Sequence, residues 1–186
     1  MTFLHAARAT YDKTHNNEEL SWEKYVKWSK LTHLTELVSL DGMLNENLVK
    51  PNYDDSDDWD YIHVAQQLET DFFTTVDFVF QRLIKREKYN LLAIVIEPDK
   101  DCKYIQVENY DFVGYELLDQ DFHVSALSNC GGFDETFLPT DLNDKGLIDD
   151  FTKAYDIKKR LLENNPNEYH ADTNVIAVWR HKTIGR

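Results

Sequence analysis

The sequence contains few of the residues that cross-link or interrupt a small protein: two cysteines, six glycines and four prolines in 186 residues. Two cysteines are too few for a disulfide framework and fit a reducing compartment at least as well as a single bridge. A chain of this length can bury a core large enough to fold without such cross-links. The N-terminal segment lacks the pattern of a secretory signal, and no apolar run approaches the ~18 residues of a membrane span. We therefore expect a cytoplasmic protein with no membrane partner.

Positive charge is scarce in the middle of the chain. The formal net charge is −14, and residues 101–150 carry twelve acidic side chains against two basic ones, Lys103 and Lys145. A field of this sign repels phosphate backbones, which argues against nucleic-acid binding through a basic surface. The same field attracts a basic protein, although acidity can also serve solubility alone.

No repeat, low-complexity tract or Gly/Ser linker divides the sequence, so we expect a single domain over residues 1–186.

The apolar run Leu91–Pro98 predicts a central strand covered on both faces. Apolar spacing predicts helices over residues 18–31, 69–87 and 147–162, the second with Thr70 as N-cap. Further strands are predicted over residues 34–42, 111–118, 122–128 and 174–181, with residues 111–118 and 122–128 as a hairpin. Together these elements predict an α+β fold, with a mixed or largely antiparallel sheet of about five strands covered by two or three helices.

The Cys130-Gly131-Gly132 segment raises the question of a reactive thiol. A catalytic cysteine needs a depressed pKa, whereas the acidic surroundings of Cys130 oppose thiolate formation. The nearest imidazole in this part of the sequence is that of His123. A phosphate cradle is also disfavoured, because Asp134 and Glu135 follow the glycines. We interpret this segment as a turn and predict no catalytic residue.

The densest acidic run, Asp54–Tyr61, resembles a calcium loop only superficially. Trp59 stands where such a loop needs glycine, and Ala65 stands where it needs glutamate. Aromatic residues within a charged run can instead supply the contact area of a recognition loop, although a solvated loop is also consistent. The predicted partner-binding residues are Asp54, Asp55, Asp57, Asp58, Trp59, Asp60, Tyr61, Asp134 and Glu135, with Asp119 and Asp121 contributing to long-range steering.

The seven histidines form no recognised metal motif. His170 and Asp172 lie two residues apart and could face one way on a strand, but no further ligand is evident. No dinucleotide or phosphate-binding fingerprint is present. We therefore predict neither a metal nor a cofactor. Among the tryptophans, Trp22 is expected in the core and Trp28 on the surface.

Three classes of function remain open. The first is a non-enzymatic binding protein that engages a basic protein partner, as small inhibitors and bacterial immunity proteins of similar charge and size do. The second is an enzyme for a small substrate, with a pocket near Cys130 and His123. The third is a structural or oligomeric subunit whose acidity has no partner.

Overall fold

An antiparallel sheet of six strands organises the part of the chain that the computed structural model describes, residues 2–14, 21–49, 61–63, 71–84, 87–129 and 136–185. The strand order is β4-β5-β1-β6-β8-β7, and β2 pairs with β3 in a separate two-stranded sheet. The strands are β1 (Leu4–Ala9), β2 (Tyr11–Asp12), β3 (Glu36–Leu37), β4 (Tyr61–His63), β5 (Asp71–Phe73), β6 (Tyr89–Ile96), β7 (Tyr110–Asp119) and β8 (Thr173–His181). The α-helices of the described residues are α1 (Trp22–Ser29), α2 (Val76–Arg82) and α3 (Phe151–Asn164). The α+β prediction is confirmed.

Strand β6 is central because both of its faces are apolar. Ala93 and Val95 pack in the cluster that includes helix α3. Leu92 and Ile94, which point the other way, pack in a second cluster with Leu40. A continuous apolar run fits such a strand because alternate side chains enter opposite cores.

Helix α3 begins later than predicted, because Asp150 acts as its N-cap and accepts a hydrogen bond from the Lys153 amide at 2.9 Å. Residues before the cap are extended, and Ile148 forms an antiparallel bridge with Tyr115 on β7. Ala154, Ile157 and Leu161 form the buried stripe, whereas Leu162 is 44% exposed. Leu162 lies 100° around the helix axis from Leu161, which places it beside the buried stripe and not within it.

The helix predicted over residues 69–87 is wrong at its start and at its end, since α2 stops at Arg82 and Leu83 forms a bridge with Val49. Residues 71–73 form strand β5, and Thr75, not Thr70, caps helix α2, with its hydroxyl accepting from the Phe78 amide at 3.2 Å. The physical reason is that Phe72 and Phe73 bury into different clusters. A strand sends consecutive side chains to opposite faces, and a helix does not.

Two predicted strands form only fragments. Residues 34–42 contribute the two-residue strand β3, and the chain then turns at Asp41 and Gly42, as expected. Residues 122–128 contain turns and one bridge, between Leu118 and Ser125, so the predicted hairpin does not form as a ladder. The two expected tryptophan positions agree with the structure: Trp22 packs against the core and Trp28 is 52% exposed.

None of the described helices combines the length and the apolar composition that crossing a membrane requires.

Candidate functional site

Three buried carboxylates converge on the segment Asp119–Asn129, here called the 119–129 loop. Asp41, Glu116 and Asp119 are each at most 1% exposed. Glu116 and Asp119 lie on strand β7, and Asp41 begins the turn that follows β3. In the described part of the chain, neither Glu116 nor Asp41 forms a salt bridge with a lysine, arginine or histidine. Burying a carboxylate without a neighbouring cation destabilises the fold unless hydrogen bonds satisfy its oxygens.

Glu116 is satisfied by hydroxyl and amide donors. The hydroxyl of Ser39 donates to Oε2 at 2.7 Å, and that of Ser125 donates to Oε1 at 2.7 Å. The Leu117 amide donates to Oε1 at 3.1 Å. Burial raises the pKa of Glu116 to about 7, with a further increase from the charge of Asp41, while these three hydrogen bonds act in the opposite direction.

Asp41 ties two turns together. Its Oδ1 accepts from the amides of Met43 and Leu44, at 2.8 and 3.0 Å. Its Oδ2 accepts from the Ser125 amide and the Asn129 side-chain amide, both at 2.9 Å. In the Leu118–Ser125 bridge the Ser125 amide points away from β7, and a side chain is therefore its partner.

The beginning of the loop is held in the same way. Oδ1 of Asp119 accepts from the amides of His123 and Val124, at 2.8 and 3.2 Å. Its Oδ2 lies 2.7 Å from Nδ1 of His170, whose side chain is 42% exposed. The sequence paired His170 with Asp172, whereas the structure pairs it with Asp119.

Around this pair the surface is acidic and carries an exposed aromatic ring. The hydroxyl of Tyr169, a residue 59% exposed, donates to Asp121. The Gln120 side chain donates to Asp172 at 3.1 Å, and Glu168 is exposed. We call this surface, made of Gln120, Asp121, Glu168, Tyr169 and Asp172, the acidic-tyrosine patch. It combines carboxylates with a large side chain suited to contact.

The predicted partner-binding residues fall mainly outside the described structure. Asp54, Asp55, Asp57, Asp58, Trp59, Asp60, Asp134 and Glu135 lie outside the described residues, as does Cys130. The backbone of Tyr61 begins strand β4. His123 is half-buried, and its ring would lie 3.2 Å from a Cβ placed on Gly42. A site joining His123 with Cys130 stays a prediction.

The described cysteine, Cys102, is buried and has its Sγ 3.6 Å from the Tyr115 hydroxyl. Burial raises the pKa of this thiol, which suits a packed side chain and not a nucleophile. Within the residues that the structure places, no group of three or more His, Cys, Asp or Glu side chains is arranged to hold a metal ion.

Sequence reasoning missed the carboxylate network of Ser39, Asp41, Glu116 and Ser125. A signal for Glu116 was present, because this acid interrupts an otherwise apolar strand at a position where alternation expects a core residue. Asp41 was recognised as a turn residue, but its hydrogen bonds from Ser125 and Asn129 depend on tertiary contacts. Comparison of the chain with protein-family models, with curated proteins and with solved structures finds no match.

Proposed function

We propose that this chain is a non-enzymatic binding protein of the inhibitor or immunity type, which engages and neutralises a basic protein partner. The observation that carries the proposal is the acidic-tyrosine patch on a chain of net charge −14, to which the most acidic part of the sequence contributes Gln120 and Asp121. No lysine or arginine occurs in the sequence between Lys103 and Lys145.

The chemistry of the patch suits a basic partner. Carboxylates at a protein surface accelerate encounter with a cationic protein, and the effect weakens as salt screens the charges. Tyrosine is enriched among residues that dominate binding energy, because its ring buries area while its hydroxyl keeps a polar contact. Tyr169 offers both properties, and its hydroxyl is oriented by Asp121.

Affinity capture tests the proposal. The immobilised chain is exposed to lysate of its source organism at low and at high salt, and bound proteins are identified. We expect a basic protein that is released as salt rises. Its association rate constant, measured with the purified pair, should fall steeply with ionic strength.

Matched variants locate the contact. Neutralising Asp121 and Asp172 by D121N/D172N should slow association, whereas D156N/E163Q removes the same charge from the exposed face of α3 and should have a smaller effect. Capture of no basic protein, or an association rate that ignores salt, would contradict the proposed function. Equal effects of the two double variants would contradict the assignment to the patch.

A further inference from the structure

The carboxylate network of Ser39, Asp41, Glu116 and Ser125 joins three segments of the chain. Ser39 and Asp41 follow β3, Glu116 lies within β7, and Ser125 lies in the 119–129 loop. Ser125 is bonded to both acids, through its amide to Asp41 and through its hydroxyl to Glu116. Ser39 also serves both, because its oxygen accepts from the Asp41 amide while its hydroxyl donates to Glu116.

Four of the five consecutive amides of residues 125–129 are bonded to Asp41 or to Ser125. The Ser125 amide donates to Asp41, and the Ala126 amide to the carbonyl of Leu117. The amides of Leu127 and Ser128 donate to the Ser125 hydroxyl oxygen, and that of Asn129 donates to the Ser125 carbonyl. Moving Ser125 away from Glu116 would therefore disturb the whole segment from 125 to 129.

The groups that face Glu116 add no positive charge. The turn after β3 contributes Asp41, and strand β8 places apolar Ile176 opposite. Helix α1 contributes Tyr25, whose hydroxyl donates to the Ser128 carbonyl and whose pKa burial raises, so that it remains neutral. His123, at the start of the loop, lies beside Gly42. An ionised Glu116 in this setting is opposed by burial and by Asp41.

The protonated form of Glu116 can keep its hydrogen bonds without a large movement. A proton on Oε2 would donate to the oxygen of Ser39, and the Ser39 hydroxyl would then turn to Ser128, whose oxygen lies 3.3 Å away. Both protonation states of Glu116 thus fit the closed loop, but burial destabilises the ionised form because it loses hydration.

We propose that the carboxylate network is a proton-operated latch, in which loss of a proton from Glu116 favours opening of the Ser125–Asn129 segment and proton uptake closes it. This inference does not depend on the proposed function, since it requires no partner.

The direction of the pH effect follows from linkage. Glu116 binds its proton more tightly in the closed state, with a pKa of about 7, than in an open, solvated state, where the ordinary value is 4.5. The stabilisation of the closed state is therefore complete below about pH 4.5 and is lost as the pH rises through about 7.

Hydrogen exchange of the backbone amides tests the latch. Protection factors, corrected for intrinsic exchange, are measured for residues 125–129 between pH 5 and 8, with β6 amides as the reference for global unfolding. We expect the protection factors of residues 125–129 to fall by roughly 30- to 100-fold between pH 5 and pH 8 and to level off near pH 8. E116Q, which cannot ionise, should show loop protection that does not change with pH, while E163Q on exposed α3 should behave like the natural chain.

Two results would overturn the proposal. One is loop protection in the natural chain that is independent of pH. The other is loop protection equal to that of β6, which would mean that the segment opens only with the whole fold. If E116Q does not fold, the NMR signal of the Glu116 carboxyl carbon in the natural chain is followed as the pH changes. We expect this carboxyl signal to titrate with a midpoint near pH 7 and to follow the change in loop exchange. A midpoint near pH 4.5 would refute the latch.

Discussion

Gly114 occupies a position on β7 that excludes a side chain. Its φ is +140°, and a Cβ built there would lie 2.6 Å from Cβ of Leu147 and 3.1 Å from the carbonyl oxygen of Ile148. The register between β7 and β8 shifts between Phe112 and Gly114, as at a β-bulge. The missing side chain lets the segment that precedes α3 approach the strand closely.

Substituting Gly114→Ala should therefore lower the free energy of unfolding by about 2–4 kcal/mol, because a strained backbone and a steric overlap act together. Urea denaturation monitored by tryptophan fluorescence measures the change. Gly42→Ala is the matched control, since its Cβ would meet only the His123 ring, at 3.2 Å. Equal losses for the two variants would show that the close approach at Gly114 is unimportant.

Single residues also mark the limit of what the sequence reveals. The exposure of Trp28 could be predicted from its place outside the apolar stripe of α1, and the turn at Asp41 from the dipeptide it forms with Gly42. The acid at Glu116 stands out in its apolar strand, but its partners could not be predicted, because the serine donors lie 77 and 9 residues away. Long-range hydrogen bonds leave no local pattern.

At the scale of elements, capping differs between the helices. The Asp150 side chain accepts the Lys153 amide at the start of α3, whereas Ser21 precedes α1 without a side-chain capping bond. A capped N-terminus satisfies one of the amides that the first helical turn leaves unpaired.

Asp150→Ala should accordingly cost about 1 kcal/mol of stability, and Ser21→Ala should cost clearly less. Both values come from urea unfolding at pH 7, with α3 amide exchange reporting whether the loss is local to the helix end. A larger loss for Ser21→Ala than for Asp150→Ala would contradict the assigned caps.

Elements with one dominant pattern were predictable, and elements that depend on neighbours were not. Strands β6 and β8 follow from their apolar runs, and α3 follows from its helical spacing. Strand β5 escaped prediction because Phe72 and Phe73 also fit a helical stripe, and only the two separate cores distinguish the alternatives. The 119–129 loop escaped prediction because the Asp119 side chain accepts from the Val124 amide, which the ladder favoured by the sequence would use.

Over the whole molecule, net negative charge opposes compaction. A charge of −14 on 186 residues repels itself at low ionic strength, and the unfolded chain spreads the same charge over a larger volume. Local ion pairs such as Lys158–Glu97, at 2.6 Å, offset only part of this repulsion.

Added salt should therefore stabilise the fold. Raising sodium chloride from 0.02 to 0.5 M at pH 7.5 is expected to raise the urea midpoint, because the Debye length falls from ~20 Å to ~4 Å. Sucrose at the same osmolality is the uncharged control. The shift of the urea midpoint in salt is compared with the shift in sucrose. A midpoint that is unchanged or lower in salt would show that self-repulsion is not a significant cost.

Strand β7 forms one border of the six-stranded sheet, yet its outer backbone groups are bonded to turns instead of another strand. Tyr115 exchanges two hydrogen bonds with Ile148, and the Leu117 carbonyl accepts from the Ala126 amide. An uncovered border strand is a template on which a second chain can add. Asp41 and Glu116 hold Ser125, the residue before Ala126. Opening of the Ser125–Asn129 segment in the proposed latch would therefore also expose this border of the sheet to pairing with a second chain.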